Sequence, residues 1–193
     1  LEEPDLVRQV HRDYREAGAQ VLQTNTFGAN AFKLKTHHLA EHLVEINQQG
    51  ARLARECAGD ELLVAGSLGP LGIKIEPWGP TSREEAREAF RQQAVALLAG
   101  GVDLLALETF ASPEELSEAV RGARAAGPDV PILAQLTLDE RGQTFYGLPI
   151  EEAVRIVEAA KPDAVGLNCT VGPELMLEAL EKLIERAIGI AGL

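Results

Sequence analysis

Five short runs of Val, Leu, Ile and Ala restrict this chain to very few folds. They are Gln20 to Thr24, Leu62 to Gly66, Asp103 to Leu107, Pro131 to Thr137 and Asp163 to Leu167. Each is apolar at successive positions instead of alternate ones, so each expects burial on both faces, as strands of a parallel sheet do. Amphipathic segments separate them. Pro4 opens the first helix, which stops before Gly18. Leu43, Ile46, Leu53 and Cys57 share one face of a stretch from Leu39 to Ala58. Thr81 or Ser82 caps a helix whose apolar face includes Ala86, Ala89, Phe90 and Leu97, and Ser112 with Pro113 opens another. Further helices are predicted at Ile150 to Ala160 and Pro173 to Glu185. Parallel neighbours need a crossover of about a dozen residues or more, and the intervals supply one each time. The pattern is a βα repeat in one domain, residues 1–193, without a linker.

Two architectures accommodate that repeat. One is a doubly wound open sheet, the other a (β/α)8 barrel. No Gly-rich nucleotide-binding fingerprint follows any strand. Polar residues stand instead after several different strands, the distribution that a barrel's active site uses. Five strands and 193 residues fall short of the eight strands and ~250 residues of a closed barrel. The chain is therefore either an open sheet or an incomplete barrel.

Composition excludes some functions. A net charge of -12 repels nucleic-acid backbones and favours solubility. No apolar run approaches the ~18 residues that span a bilayer, so no membrane role is expected. No signal-peptide pattern opens the chain, and a cytoplasmic location is the expectation. Two cysteines, Cys57 and Cys169, are too few for a disulfide framework.

The strand ends hold the candidate chemistry. Cys169 follows a buried strand and precedes a turn, where a thiolate serves as nucleophile or metal ligand, or the side chain is a small buried hydrophobe. Glu108 ends the run Leu104 to Leu107, placed to hold an ammonium group or act as a base, or else to form a salt bridge within the rim. Asn25 and Asn168 either fix a polar substrate or hydrogen-bond loop backbone. Cys57 reads as core. His37, His38 and His42 read as a solvated polar stretch rather than a metal site. Trp78 lines a pocket or anchors its loop.

Four stretches together resemble the homocysteine S-methyltransferase family: Gln23 to Asn30 (Gln-Thr-Asn-Thr-Phe-Gly-Ala-Asn), Gly66 to Pro70, Leu107 to Phe110, and Val165 to Pro173 (Val-Gly-Leu-Asn-Cys-Thr-Val-Gly-Pro). The first is most similar to the methionine synthase branch and to enzymes fused to methylenetetrahydrofolate reductase. The resemblance implies a (β/α)8 barrel, of which this chain covers about five βα units, strands two to six. The first strand and the last two are absent, and Ile184 to Leu193 fit the pattern poorly. It implies zinc bound by three cysteines. Cys169 matches the first, and the other two, in a Gly-Gly-Cys-Cys-Gly motif, are expected outside this chain. Zinc would turn the homocysteine thiol, ordinarily protonated at neutral pH, into a nucleophilic thiolate. Glu108 would hold the homocysteine amino group, with Asn25 and Asn168 shaping the pocket.

The resulting expectation is methyl transfer to homocysteine, giving methionine. The implied donor is methylcobalamin, charged from methyltetrahydrofolate by cobalamin- and folate-binding domains of the same parent protein. The alternative is a direct donor in a stand-alone or reductase-fused enzyme. Two readings from other classes are a cysteine-nucleophile barrel enzyme, which requires a base near Cys169, and a non-catalytic remnant.

Overall fold

The computed structural model describes residues 2–144 and 146–191. All five apolar runs are strands of one sheet: β1 (Val21–Gln23), β2 (Leu63–Leu68), β3 (Leu104–Phe110), β4 (Ile132–Leu136) and β5 (Ala164–Leu167). Every pairing is parallel, and the order across the sheet is β1-β2-β3-β4-β5. That order separates the two architectures. A doubly wound sheet reverses direction at a switch point, whereas here each strand is laid beside its predecessor. Parallel crossovers are right-handed, so successive ones in a single direction put every connecting helix on the same face. The result is an arc of a (β/α)8 barrel with five βα units.

The helices are α1 (Pro4–Glu16), α2 (Ala31–Thr36), α3 (Leu43–Ala58), α4 (Arg83–Ala99), α5 (Pro113–Ala126), α6 (Ile150–Glu158) and α7 (Pro173–Ala191). From α3 onward each packs on the next, and α1 packs on α3. Leu22, Val64, Leu68, Leu105, Leu107, Ile132 and Leu136 are buried in the core they share with the sheet. The opposite face is open at its start: Val21 is 43% and Leu63 52% exposed. A groove of about 530 Å³ runs along the free side of β1, lined by Leu6, Val10, His11, Tyr14 and Val21.

The predicted caps form. Ser82 makes a reciprocal capping box with Glu85, and the Ser112 hydroxyl accepts from the Glu115 amide at 3.2 Å. Helix α2 was not predicted. Its six residues are too few to show a period, and its signal is the Asn30 cap. The stretch from Leu39 begins with a single 3-10 turn, Ala40–His42, before α3. Residues from Ile184 continue α7 to Ala191, while Leu193 lies outside the described residues. Helices α4 and α5 approach closely at Gly122, where a Cβ would lie 2.5 Å from the Arg87 carbonyl oxygen and 3.0 Å from Phe90 Cβ.

At the amino ends of the strands one device appears twice. The Asp103 carboxylate accepts from the Val64 amide at 2.6 Å and pairs with Arg55. Two strands on, the Asp163 carboxylate accepts from the Ile132 amide at 2.8 Å and from Arg124 at 2.7 Å. Arg55 also donates to the Gly59, Leu62 and Gly101 carbonyls, and Arg124 to those of Pro128 and Val130. Each arginine thus ties a helix C-terminus to the strand that follows and, through its aspartate, to the next one.

Two predictions follow from this packing. Gly122→Ala forces α4 and α5 apart and lowers unfolding free energy by about 1–3 kcal/mol, the usual cost of overpacking, read from urea denaturation. Arg124, and then the Ile132 amide, hold the Asp163 carboxyl below its ordinary value. Its contribution to stability is therefore complete above the unfolded-chain value of ~3.9 and disappears as pH falls through the lower folded value. Asp163→Asn lowers the urea midpoint at pH 7 and narrows its gap to the wild type at pH 3. An equal gap at both would contradict this.

Candidate functional site

The carboxyl ends of all five strands meet at one rim, and the loops there divide into residues that build it and residues that face out. In the loop after β1, Thr24 and Thr26 are buried. Their hydroxyls lie 2.7 Å apart; Thr24 accepts from the Ser67 amide at 2.9 Å, and Thr26 donates to the Ser67 carbonyl at 2.8 Å. Beneath them, the Gln93 amide donates to the Thr26 carbonyl at 2.9 Å, and Asn47 donates to the Ala29 carbonyl at 2.8 Å. Asn30 caps α2 and donates to the Pro70 carbonyl at 3.2 Å. Gly50 leaves room for Thr26, since a Cβ there would sit 2.5 Å from its methyl group. Most of the Thr24 to Asn30 motif is thus a folding device. Asn25, Phe27 and Gly28 are its exposed members. Phe27 lies over Gly69, where no Cβ fits, and carries the Lys33 ammonium 4.8 Å from its ring centre. Burial pushes the Lys33 pKa down, and the Glu115 charge partly offsets this.

Glu108 lies in β3, two residues before its end, and is half-buried. One carboxylate oxygen, Oε1, accepts from both Gln23 of β1 and Ser67 of β2. The other oxygen, Oε2, makes no hydrogen bond among the described residues. The β3–β4 register shifts between Leu107 and Phe110, and Thr109 adopts φ +63°. A bulge of this kind re-aims side chains at a strand end.

Asn168 is half-buried beyond β5, and its amide is committed to Thr109. Asn168 Oδ1 accepts from the Thr109 backbone amide and Nδ2 donates to the Thr109 hydroxyl, both at 2.8 Å. Cys169 is exposed with φ +60°, and Thr170 follows at +61°. The Thr170 hydroxyl bonds with Thr137 and the Leu138 carbonyl. Three non-glycine residues in the left-handed region, each costing ~1–3 kcal/mol, mark this rim as strained.

The structure therefore brings Glu108, Asn168 and Cys169 to one rim, and places Asn25, exposed, on the β1 loop of that rim. Cys57 is core, as its helix face predicted. His42 faces Glu41 and Glu45, and no group of three potential metal ligands forms among the described residues. His11, assigned only to the first helix, is buried beside β1, and desolvation lowers its pKa. Trp78 stacks on Tyr146 with ring centres 5.9 Å apart, joining the loops after β2 and β4. Gln23, Thr109 and Tyr146 carry no role that the sequence alone reveals. Gln23 was detectable as a polar residue sharing the inward register of β1.

A zinc site takes three or four protein ligands. Cys169 is one soft ligand, and no group of three potential metal ligands forms among the described residues. The residues present do not by themselves make a zinc site.

Comparison with known proteins agrees with this layout. The model of the family described as homocysteine S-methyltransferase matches residues 1–191. Methionine synthase of Mycobacterium tuberculosis is 36% identical over 195 residues, covering 95% of this chain but 16% of that protein. Betaine–homocysteine S-methyltransferase 1 of Sus scrofa is 33% identical, covering 100% of this chain and 69% of that protein. Among solved structures, the metallated homocysteine methyltransferase MmuM of Escherichia coli superposes with a TM-score of 0.81 at 30% identity, covering 95% of this chain and 69% of that one. The chain thus spans a small part of the methionine synthases it matches. No described helix is long and apolar enough to cross a membrane.

Trp78 is the single tryptophan, so its emission reports the stacked pair. Tyr146→Ala uncovers one indole face, and the emission maximum shifts to the red; an unchanged spectrum would mean the rings do not stack in solution.

Proposed function

Because the chain belongs to the homocysteine S-methyltransferase family, we propose that it binds homocysteine at this rim and serves methyl transfer to its thiol, forming methionine. The observation that supports this most directly is the placement of Glu108 and Cys169. A carboxylate and an exposed thiol stand at the carboxyl ends of β3 and β5, and the side chains next to them in sequence are bonded to each other. In this reading residues 1–193 are part of a homocysteine-binding barrel domain, with further strands pairing at the free edges of β1 and β5.

Glu108 is the ammonium anchor. Gln23 and Ser67 occupy Oε1 and orient the carboxylate, which leaves Oε2 to accept a charge-assisted bond from the amino group of the substrate. Asn25 and Asn168 shape the pocket, Asn25 from its exposed loop and Asn168 by holding the backbone beside Cys169. Cys169 contributes one zinc ligand, with two further cysteines supplied from outside this chain. Bound zinc would lower the pKa of the substrate thiol so that it reacts as a thiolate. The donor in this proposal is methylcobalamin, recharged from methyltetrahydrofolate through other domains of the parent protein, and the location is cytoplasmic. The identity to methionine synthase supports that donor. The likeness to the Escherichia coli homocysteine methyltransferase and to the betaine enzyme supports a second reading, a direct donor. A cysteine-nucleophile mechanism is less well supported. Among the described residues Cys169 Sγ accepts from the Asn168 amide at 3.5 Å, a group that cannot take a proton.

The test uses the full-length parent protein. Wild type holds about one zinc per chain by elemental analysis, and Cys169→Ser loses the zinc together with homocysteine methylation. Glu108→Gln keeps the zinc but raises KM for homocysteine by about 10–100-fold, the worth of one hydrogen bond to a charged group. A metal-replete wild type without zinc would overturn the role of Cys169, and an unchanged KM would overturn that of Glu108.

A further inference from the structure

We infer that the Thr109–Asn168 pair is a spacing latch that makes the site select homocysteine over the shorter cysteine. The inference rests on the proposed reading, in which Glu108 takes the substrate ammonium and the substrate sulfur lies toward Cys169. Glu108 lies in β3 and Cys169 just beyond β5, and these strands are not neighbours, since β4 lies between them. The sheet's own hydrogen bonds therefore fix their separation only indirectly. The side chain of Asn168 bridges the gap. It holds both the backbone amide and the hydroxyl of Thr109 at 2.8 Å. Thr109 is bonded covalently to Glu108, and Asn168 to Cys169, so each end of the bridge is one residue from a functional group.

Both flanks would otherwise drift. The β3–β4 register is already broken at Thr109, and Thr109, Cys169 and Thr170 all have positive φ. Backbone in that region persists only where surrounding bonds over-determine it. Two bonds from one planar amide determine both distance and orientation, as a single bond would not. Homocysteine and cysteine share the ammonium, the carboxylate and the thiol. They differ by one methylene, about 1.5 Å of reach between nitrogen and sulfur. A site that recognises both ends of the molecule rejects the shorter one only if the distance between its two ends is held. Misplacement of about 1 Å is enough to change rates strongly.

Thr109 and Asn168 are thus positioning residues, and the readout that separates this role from a merely structural one is a ratio. In the metal-replete full-length protein, binding of L-homocysteine and L-cysteine is measured by calorimetry, with methyl transfer to each measured in parallel. Wild type prefers homocysteine by roughly 10–200-fold, the range that one methylene supports. Thr109→Ala and Asn168→Ala reduce that preference by about tenfold, chiefly through weaker homocysteine binding. Thr109→Ser, which keeps the hydroxyl, restores it. Zinc content stays at the wild-type level in all three, which shows the rim to be folded. A preference unchanged in Thr109→Ala, or not restored by serine, overturns the latch while leaving the homocysteine reading intact. A wild type that binds both thiols equally overturns the latch alone, and one that binds neither overturns both.

Discussion

Parallel strands laid down in chain order leave the molecule little freedom. Each must be joined to the next by a helix, each crossover turns the same way, and every helix ends up on one face. Two consequences shape the rest. The core forms between sheet and helices, where Leu22, Val64, Leu105, Leu107 and Ile132 are buried. The carboxyl ends of all five strands point the same way, so five loops far apart in sequence share one rim. Gln23 and Glu108, 85 residues apart, meet only because of this.

The two ends of the sheet solve different problems. At the amino end, Asp103 with Arg55 and Asp163 with Arg124 saturate loop carbonyls and strand amides, and no described residue at these joints except Lys161 and glycines adopts positive φ. At the carboxyl end Thr109, Cys169 and Thr170 are held in the left-handed region, and Glu108 takes the bonds from both Gln23 and Ser67 on one oxygen. The stable end carries the cost of the strained one, a division that barrel enzymes share.

The fold was largely legible in the sequence because it depends on a pattern. Apolar runs at successive positions gave all five strands within a few residues, and Ser82 and Ser112 gave two helix starts. The number of strands could not choose between an open sheet and a barrel arc; the spatial order of strands does, and no local pattern encodes it. Helix α2 escaped for lack of length. Within the rim, Glu108, Asn25, Asn168 and Cys169 were visible as polar residues ending apolar runs. Their division of labour was not. Thr24, Thr26 and Asn30 look as functional as Asn25 does in sequence, yet they are bonded inward to Ser67, Gln93 and Pro70 neighbours. Which member of a polar motif faces solvent depends on partners contributed from 40 or more residues away.

The same contrast explains why one cysteine is inert and the other is a candidate. Cys57 and Cys169 are alike as side chains. Cys57 occupies an inward position of α3, where a thiol behaves as a small hydrophobe. Cys169 follows a strand that ends at the rim, on backbone turned into the left-handed region, and its exposure results from that turn. The turn is in part held by Asn168 through Thr109. The placement of this thiol is therefore a property of the bridge between the ends of β3 and β5 more than of the residue itself.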